Sequence, residues 1–318
     1  MLKRRIIKKI SISTAALFAI FLICLIPDKS YDIDPNREIS YVNSNVVTSN
    51  IYLLDKNNRL GRTSVVISSV DTKDIAMELL EILISGGVGE SLIPSGFRSF
   101  LPSDTVIKSI KVTDNIINVD FSKELLDISK DKEVMIIEAI TYSLTEIEGI
   151  DSVTIYIEGV LLKTLPKTNT LVPPIINRDF GINKVYDINS LDNVNHVTTY
   201  FIDKNNDSFY YVPVTKYVND DREKISIIID ELTSSNIYNT DLMSFLNSNT
   251  ELLSVQKEDD VIKLIFNNYI LNNFDKKDIL EEVIYTICLS IKDNYNVNEV
   301  IFNAFDEEIY KSVLKTIE

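Results

Sequence analysis

Residues that commonly carry chemistry are few in this chain and badly spaced for joint action. His196 is the one histidine in 318 residues. That removes most acid–base pairs, nucleophilic triads and zinc sites at once. Two pairs of adjacent aspartates exist, Asp220-Asp221 and Asp259-Asp260. The first precedes a helical stretch and the second falls in a hairpin turn, where acids satisfy free amides and the helix dipole. They read as cap and turn residues, not metal ligands. Ser11-Ile12-Ser13-Thr14 lies inside an apolar N-terminal run. The two cysteines are Cys24, in that run, and Cys288, flanked by Ile287, Leu289 and Ile291. They stand on opposite sides of the membrane topology argued below and build no disulfide framework. Cys288 reads as a thiol packed like a small hydrophobe. These residues support no enzyme, no metal and no cofactor.

One segment concentrates glycine. It runs from Gly86 to Pro102 and includes Gly86, Gly87, Gly89, Pro94, Gly96, Phe97, Arg98 and Pro102. It lacks the Lys-Ser/Thr ending of a phosphate loop and the spacing of a dinucleotide turn. A plain structural loop is the first reading. Long loops in compact domains are often functional, so these eight residues form the candidate interaction or ligand loop.

The elements that position this loop occur twice. Tyr52-Leu53-Leu54-Asp55-Lys56-Asn57-Asn58 returns as Tyr200-Phe201-Ile202-Asp203-Lys204-Asn205-Asn206, 148 residues on. Phe100 to Phe121 realigns on Phe245 to Phe266 at an offset of 145, with eight identities including Thr105/Thr250, Asp114/Asp259 and Phe121/Phe266. Ile136, Glu138 and Tyr142 align on Ile279, Glu281 and Tyr285 at an offset of 143. The falling offset implies a few residues lost from loops of the second copy. Each copy reads β-β-α-β-β-α-β. The strands are β-branched runs broken by Asn/Asp turns. The helices carry stripes such as Ile75, Leu79, Ile82, Leu83 and Ile137, Ile140, Leu144, Ile147. The expected fold is α/β (α+β): two tandem copies of a small mixed sheet with two helices on one face. The expected boundaries are an anchor at 1–27, a spacer at 28–45, copy 1 at 46–160, a linker at 161–195 and copy 2 at 196–318. The linker, with Pro166, Pro173 and Pro174, permits either relative motion or docking. Copy 2 ends in an extra segment without a counterpart in copy 1. Its Ile309, Val313, Leu314 and Ile317 share one helical face, expected to pack on its own domain in preference to a partner.

The net charge is −15. Residues 1–30 hold six Lys/Arg and one acid, which leaves −20 for the rest. A body so acidic repels phosphate backbones, so no nucleic-acid partner is expected. Lys3-Arg4-Arg5 and Lys8-Lys9 precede Ile10 to Ile26, an uncharged run of 17 residues. That pattern favours an uncleaved membrane anchor through residues 10–26, with the bulk extracytoplasmic. A lipoprotein modified at Cys24 and a cleaved signal remain alternatives. Ile23 is large where a lipobox expects a small residue, and no small-x-small cleavage site follows.

Several motifs then resemble a known family. Pro94-Ser95-Gly96-Phe97-Arg98-Ser99-Phe100-Leu101-Pro102, Lys108-Ser109-Ile110-Lys111-Val112 and Asn118-Val119-Asp120-Phe121-Ser122-Lys123-Glu124-Leu125 look like the GerM domain of sporulation and spore germination. The likeness covers about residues 48–159 well and 197–305 less well, because copy 2 lacks the Pro-Gly loop and has Ile265 at the Asp120 position. The resemblance implies a membrane or lipid anchor, two tandem domains and a fold similar to ring-building modules. It also implies a spore-forming source and a non-enzymatic assembly role, with protein partners or self-assembly, in an envelope complex between mother cell and forespore. It carries no catalytic residues. A cell-wall (peptidoglycan) or small-ligand domain using the Gly86–Pro102 loop is the rival reading.

Overall fold

A computed structural model describes residues 47–206, 208–234 and 241–314. The expected anchor, the spacer, Cys24 and Ile317 lie outside those residues. Each repeated Tyr-x-x-Asp-Lys-Asn-Asn stretch closes a hairpin. β1 (Val47–Leu54) pairs antiparallel with β2 (Leu60–Ile67) over their full lengths. In copy 2, β8 (Asn195–Asn205) pairs the same way with β9 (Ser208–Val218). Asn58 and Asn206 take φ of 60° and 53° at the two tips, a conformation asparagine tolerates better than most residues.

Copy 1 continues with α1 (Thr72–Leu83), β3 (Ile107–Thr113), β4 (Ile116–Phe121), α2 (Glu133–Leu144), β5 (Ser152–Ile157) and β6 (Val160–Leu161). Its sheet runs β3-β4-β5-β6, with β4 and β5 parallel and the other pairs antiparallel. Copy 2 repeats this with α3 (Lys224–Thr233), β10 (Leu252–Glu258), β11 (Val261–Phe266), α4 (Glu281–Asn294), β12 (Glu299–Ala304) and β13 (Glu307–Val313). In copy 1, α1 packs on β3 and α2 on β5. The opposite sheet face presents Ser109, Lys111, Asn118 and Asp120 to an open polar surface. Two helices on one face of a small mixed sheet is thus the arrangement of the four-stranded part.

The first hairpin of each copy lies elsewhere. β1 packs on the far side of α2, and β8 on α4. A helix covered on both sides must be apolar or small nearly all round. In α2, Ile136, Ile137, Ala139, Ile140, Thr141, Ser143 and Leu144 have no exposed surface. The two hairpins meet where β2 and β9 pair antiparallel at Arg62–Tyr211. Together with β7 (Val185–Asp187) from the linker, parallel to β9, they build one five-stranded sheet shared by both copies. The linker is docked. Ile176 bridges to Val153, and Leu165, Val172, Ile176 and Ile182 are buried.

Two expectations need correction. The C-terminal segment is not a helix but the strand β13, antiparallel to β12. Phe305 takes φ 50° in the turn between them, as Glu158 does (φ 52°) between β5 and β6. β13 therefore has a counterpart, the shorter β6. The burial that matters alternates along a strand, with Ser312 and Leu314 inside and Lys311 and Val313 outside. It does pack on its own domain. The helix alignment also shifts. Ser143 and Ser290 make the same contact in the two copies, accepting from the amides of Tyr52 and Tyr200. Their offset is 147, not 143. Four residues is close to one helical turn, so an alignment slipped by that amount still matches apolar face to apolar face.

Deleting residues 306–318 strips β13 from β12 and exposes the Leu314 site. The melting midpoint should fall, with Leu314 alone contributing about 1.5–3 kcal/mol; an unchanged thermal melt would contradict this placement.

Candidate functional site

The seam between the copies holds the densest set of ionisable side chains among the described residues. Tyr52 of β1 and Tyr200 of β8 come from the repeated stretch. Their hydroxyl oxygens lie 2.8 Å apart. Tyr52 also donates to Glu146 Oε1 at 2.9 Å, and Tyr200 to Asp293 Oδ2 at 2.8 Å. Glu146 follows α2 and Asp293 ends α4, at the same offset of 147 as the two serines. The arrangement is thus self-complementary, as an approximate two-fold relation between copies requires.

Arg178, from the linker, breaks that symmetry. Its Nη2 reaches Glu146 at 2.5 Å and its Nη1 reaches Asp293 at 2.6 Å. Nη1 also donates to both phenols at 3.4 and 3.3 Å, and Nε donates to Thr145 Oγ1 at 3.0 Å. The guanidinium lies 4.9 Å from the Tyr142 ring centre, a cation–π distance. Arg62 and Lys292 approach Glu146 at 3.5 and 3.7 Å. The side chains of Glu146 and Asp293 are 3% and 1% exposed, so water reaches neither. Burial alone would raise the Glu146 pKa; Arg178, Arg62 and Lys292 outweigh it and hold the carboxyl well below the usual range. Burial pushes both phenols up, so they remain donors.

A second set lies at the hairpin tips. Asp55 accepts from the amides of Asn57 and Arg59 at 2.8 Å each and from the Tyr210 hydroxyl at 3.0 Å. Asn57 of copy 1 donates to Asp203 of copy 2 at 2.9 Å, and Lys56 pairs with Asp203 at 3.4 Å. The repeated motif therefore contacts its own second copy.

The glycine-rich loop joins this seam at one end. Gly96 has φ 91°, and a Cβ there would stand 2.0 Å from the Asn205 side chain. Asn205 donates to the Ser95 carbonyl at 2.6 Å, and Phe97 packs edge-on to Tyr210 at 4.8 Å. Arg98 exchanges backbone hydrogen bonds with Leu54 and donates to the Asp55 carbonyl at 3.0 Å. Gly89 is pressed against Ile82, and Gly87 bonds Ile84. Gly86 takes φ 69°, and the carbonyls of Pro94 and Pro102 close turns on Phe97 and Thr105. The structure thus places Ser95 to Phe97 against copy 2 and Arg98 against the copy 1 hairpin. The outward part of the loop exposes Val88 and Leu92.

The chain matches a family model for sporulation and spore germination, named Germane, over residues 50–163 and 198–309. It is 31% identical over 262 residues to the spore germination protein GerM of Bacillus subtilis strain 168, covering 81% of this chain and 71% of that one. The solved structure of the tandem GerMN domains of the sporulation protein GerM from Bacillus subtilis superposes with a TM-score of 0.74 at 29% identity, covering 82% and 92%. The chain belongs to the Germane family. Its role is therefore sporulation-related.

In this Germane protein the remaining sequence candidates sit apart from the seam. His196 begins β8, 3.6 Å from Asp179 and beside the Tyr217 ring; burial first, then Lys224, lowers its pKa. Asp259 occupies a left-handed turn, and Asp220 pairs with Arg222. Cys288 is buried, and burial pushes its thiol up to about 12. A groove of about 680 Å³ runs beside the seam, lined by Val134, Met135, Glu138, Lys184, Tyr186 and Leu242 among others. Sequence reasoning missed Arg178, Glu146 and Asp293. The tyrosines of the repeated motif were the available signal: a buried hydroxyl needs a partner.

Two outcomes follow for the Germane seam. Arg178→Gln leaves two buried carboxylates short of their shared cation, which costs about 3–5 kcal/mol by urea titration. Because the Glu146 pKa is depressed by folding, its contribution is full above the unfolded value near ~4.3 and is lost as pH falls through the folded one. Arg178→Gln should flatten that acid-side slope. Gly96→Ala should cost about 1–3 kcal/mol by overpacking, and Asn205→Ala should recover part of it. An additive double variant would contradict the contact.

Proposed function

We propose that this Germane protein is a non-enzymatic assembly component of a transenvelope complex between mother cell and forespore. On this reading it is tethered by residues 10–26, with the bulk of the chain extracytoplasmic. The observation that carries the proposal is the use of its ionisable groups. Glu146, Asp293 and Arg178 are consumed in holding one copy to the other, away from water. A protein so built offers partners rigid sheet faces and edges instead of a reactive cleft. The basic-then-apolar start supports the tether. Protein partners, self-assembly into a ring, or both would supply the complex.

The groove beside the seam favours a second reading, a cell-wall glycan or small-ligand domain. The Gly86–Pro102 loop supports it less, since its Ser95 to Phe97 part packs on copy 2 and Arg98 on the copy 1 hairpin. Saturable pull-down on purified peptidoglycan, lost when Tyr186 is changed to Ala, would favour that reading.

Imaging a tagged chain through sporulation tests the assembly reading. Signal should concentrate at the boundary between mother cell and forespore and resist alkaline carbonate washing. A full-length chain released into the soluble fraction would contradict the tether, and a uniform distribution would contradict the complex.

A further inference from the structure

The shared sheet treats its two equivalent edges unequally. Leu54 pairs with Leu60 as Ile202 pairs with Tyr211, so β2 corresponds to β9 at an offset of 151, and Thr63–Ile67 to Val214–Val218. On β9, the edge away from β8 is occupied beyond the Arg62–Tyr211 pair. Asn183 Nδ2 donates to the Pro213 carbonyl at 2.7 Å. Thr215 and Ile182 exchange two bonds of 2.9 Å. β7 then pairs parallel with Lys216 to Val218. On β2, the equivalent stretch is Thr63-Ser64-Val65-Val66-Ile67. Beyond the Arg62–Tyr211 pair, among the described residues, no strand pairs with this stretch and no backbone hydrogen bond reaches it on its edge away from β1. Glu78 caps the amide of Ser68 at 2.9 Å just beyond, which ends the open stretch.

Its composition makes the vacancy costly. Four of these five residues are β-branched, and none is charged, Gly or Pro. An uncharged β-branched edge is a template for another strand unless something blunts it. The other outer strands longer than three residues are blunted. β1 is bridged by Arg98 and bonded by Ser143; β8 is bridged by Met243 and bonded by Ser290 and Asn294. β3 carries Lys108 and Lys111, β10 carries Lys257 and Glu258, and β13 carries Glu307, Glu308 and Lys311.

We propose that the open edge of β2 at Thr63–Ile67 is a docking site for an extended segment of a partner protein, added as a strand parallel to β2. β7 is the template, since the same fold seats a parallel strand on the equivalent edge of β9. Main-chain hydrogen bonds supply the affinity in such strand addition, and alternate side chains the specificity. The segment is non-acidic, because Glu78 and a body of charge −20 repel carboxylates. It contains no proline at the paired positions. The inference goes beyond the assembly reading and holds wherever in the envelope the protein acts.

The probe is a labelled synthetic peptide copying residues 181–190, with asparagine in place of Asp187, titrated with the full-length protein in detergent. Anisotropy should saturate. N-methylation of alternate peptide amides, which removes the donors, should abolish binding without touching the protein. Hydrogen exchange should show the open-side amides between Thr63 and Ile67 unprotected without peptide and protected about tenfold or more with it. Absence of saturable binding would overturn the proposal, as would equal binding of the N-methylated peptide. Open-side amides already protected in the peptide-free monomer would mean that the chain covers its own edge, which overturns it. Protection rising with protein concentration alone would assign the edge to a second copy and overturn it too.

Discussion

Arg178 sits between two carboxylates that come from different copies of one fold. Glu146 and Asp293 occupy equivalent places, so the pseudo-two-fold relation brings two like charges to the same buried seam. Arg178 pairs with both carboxylates, and Arg62 and Lys292 stand beside Glu146. The residue that meets both carboxylates comes from the linker, outside either copy. A single linker residue resolves the conflict, and in doing so it fixes the path of the linker. From Arg178 the chain passes through Ile182 and Asn183, which bind β9 and β2, and into β7. Arg178 thus joins the docked linker to both copies at one point, beside the sheet they share.

The price of such a seam is stability. Buried ion pairs seldom exceed hydrophobic contacts of the same size, and their best-attested use is to specify one arrangement over others. Here the alternatives are concrete. Two tandem domains with free hairpin edges could pair in other registers or with other chains. Matching Glu146, Asp293, both tyrosines and Arg178 selects one register. The Gly96–Asn205 approach and the Asn57–Asp203 bond enforce the same choice at the hairpin tips. A protein built for assembly gains from rigidity between its two copies, since a fixed spacing of surfaces lowers the ordering cost of each contact.

The local elements were legible because their signals are local. Asn58 and Asn206, or Asp114 and Asp259, mark turns that need left-handed backbone, and the helix stripes follow the 3.6 period. The pooling of two hairpins into one sheet was not legible, because edge pairing leaves no trace in either strand alone. Arg178 lies in a Pro- and Asn-rich linker without periodicity, and its partners are 32 and 115 residues away. The tail misled because Ile309, Val313 and Leu314 satisfy a helical spacing, while the turn at Phe305 and the alternation at Ser312 and Leu314 point to a strand. The loop at Gly86 was recognised as special, but its glycines serve close approach to Ile82 and Asn205 as much as any outside partner.

If the seam makes the two copies one body, they must unfold together. Differential scanning calorimetry of the chain measures this directly, by comparing the calorimetric enthalpy with the van't Hoff enthalpy of the same transition. The account predicts one transition in which the two enthalpies agree. Two resolved transitions, or a van't Hoff enthalpy near half the calorimetric value, would show that the copies unfold independently and would contradict it.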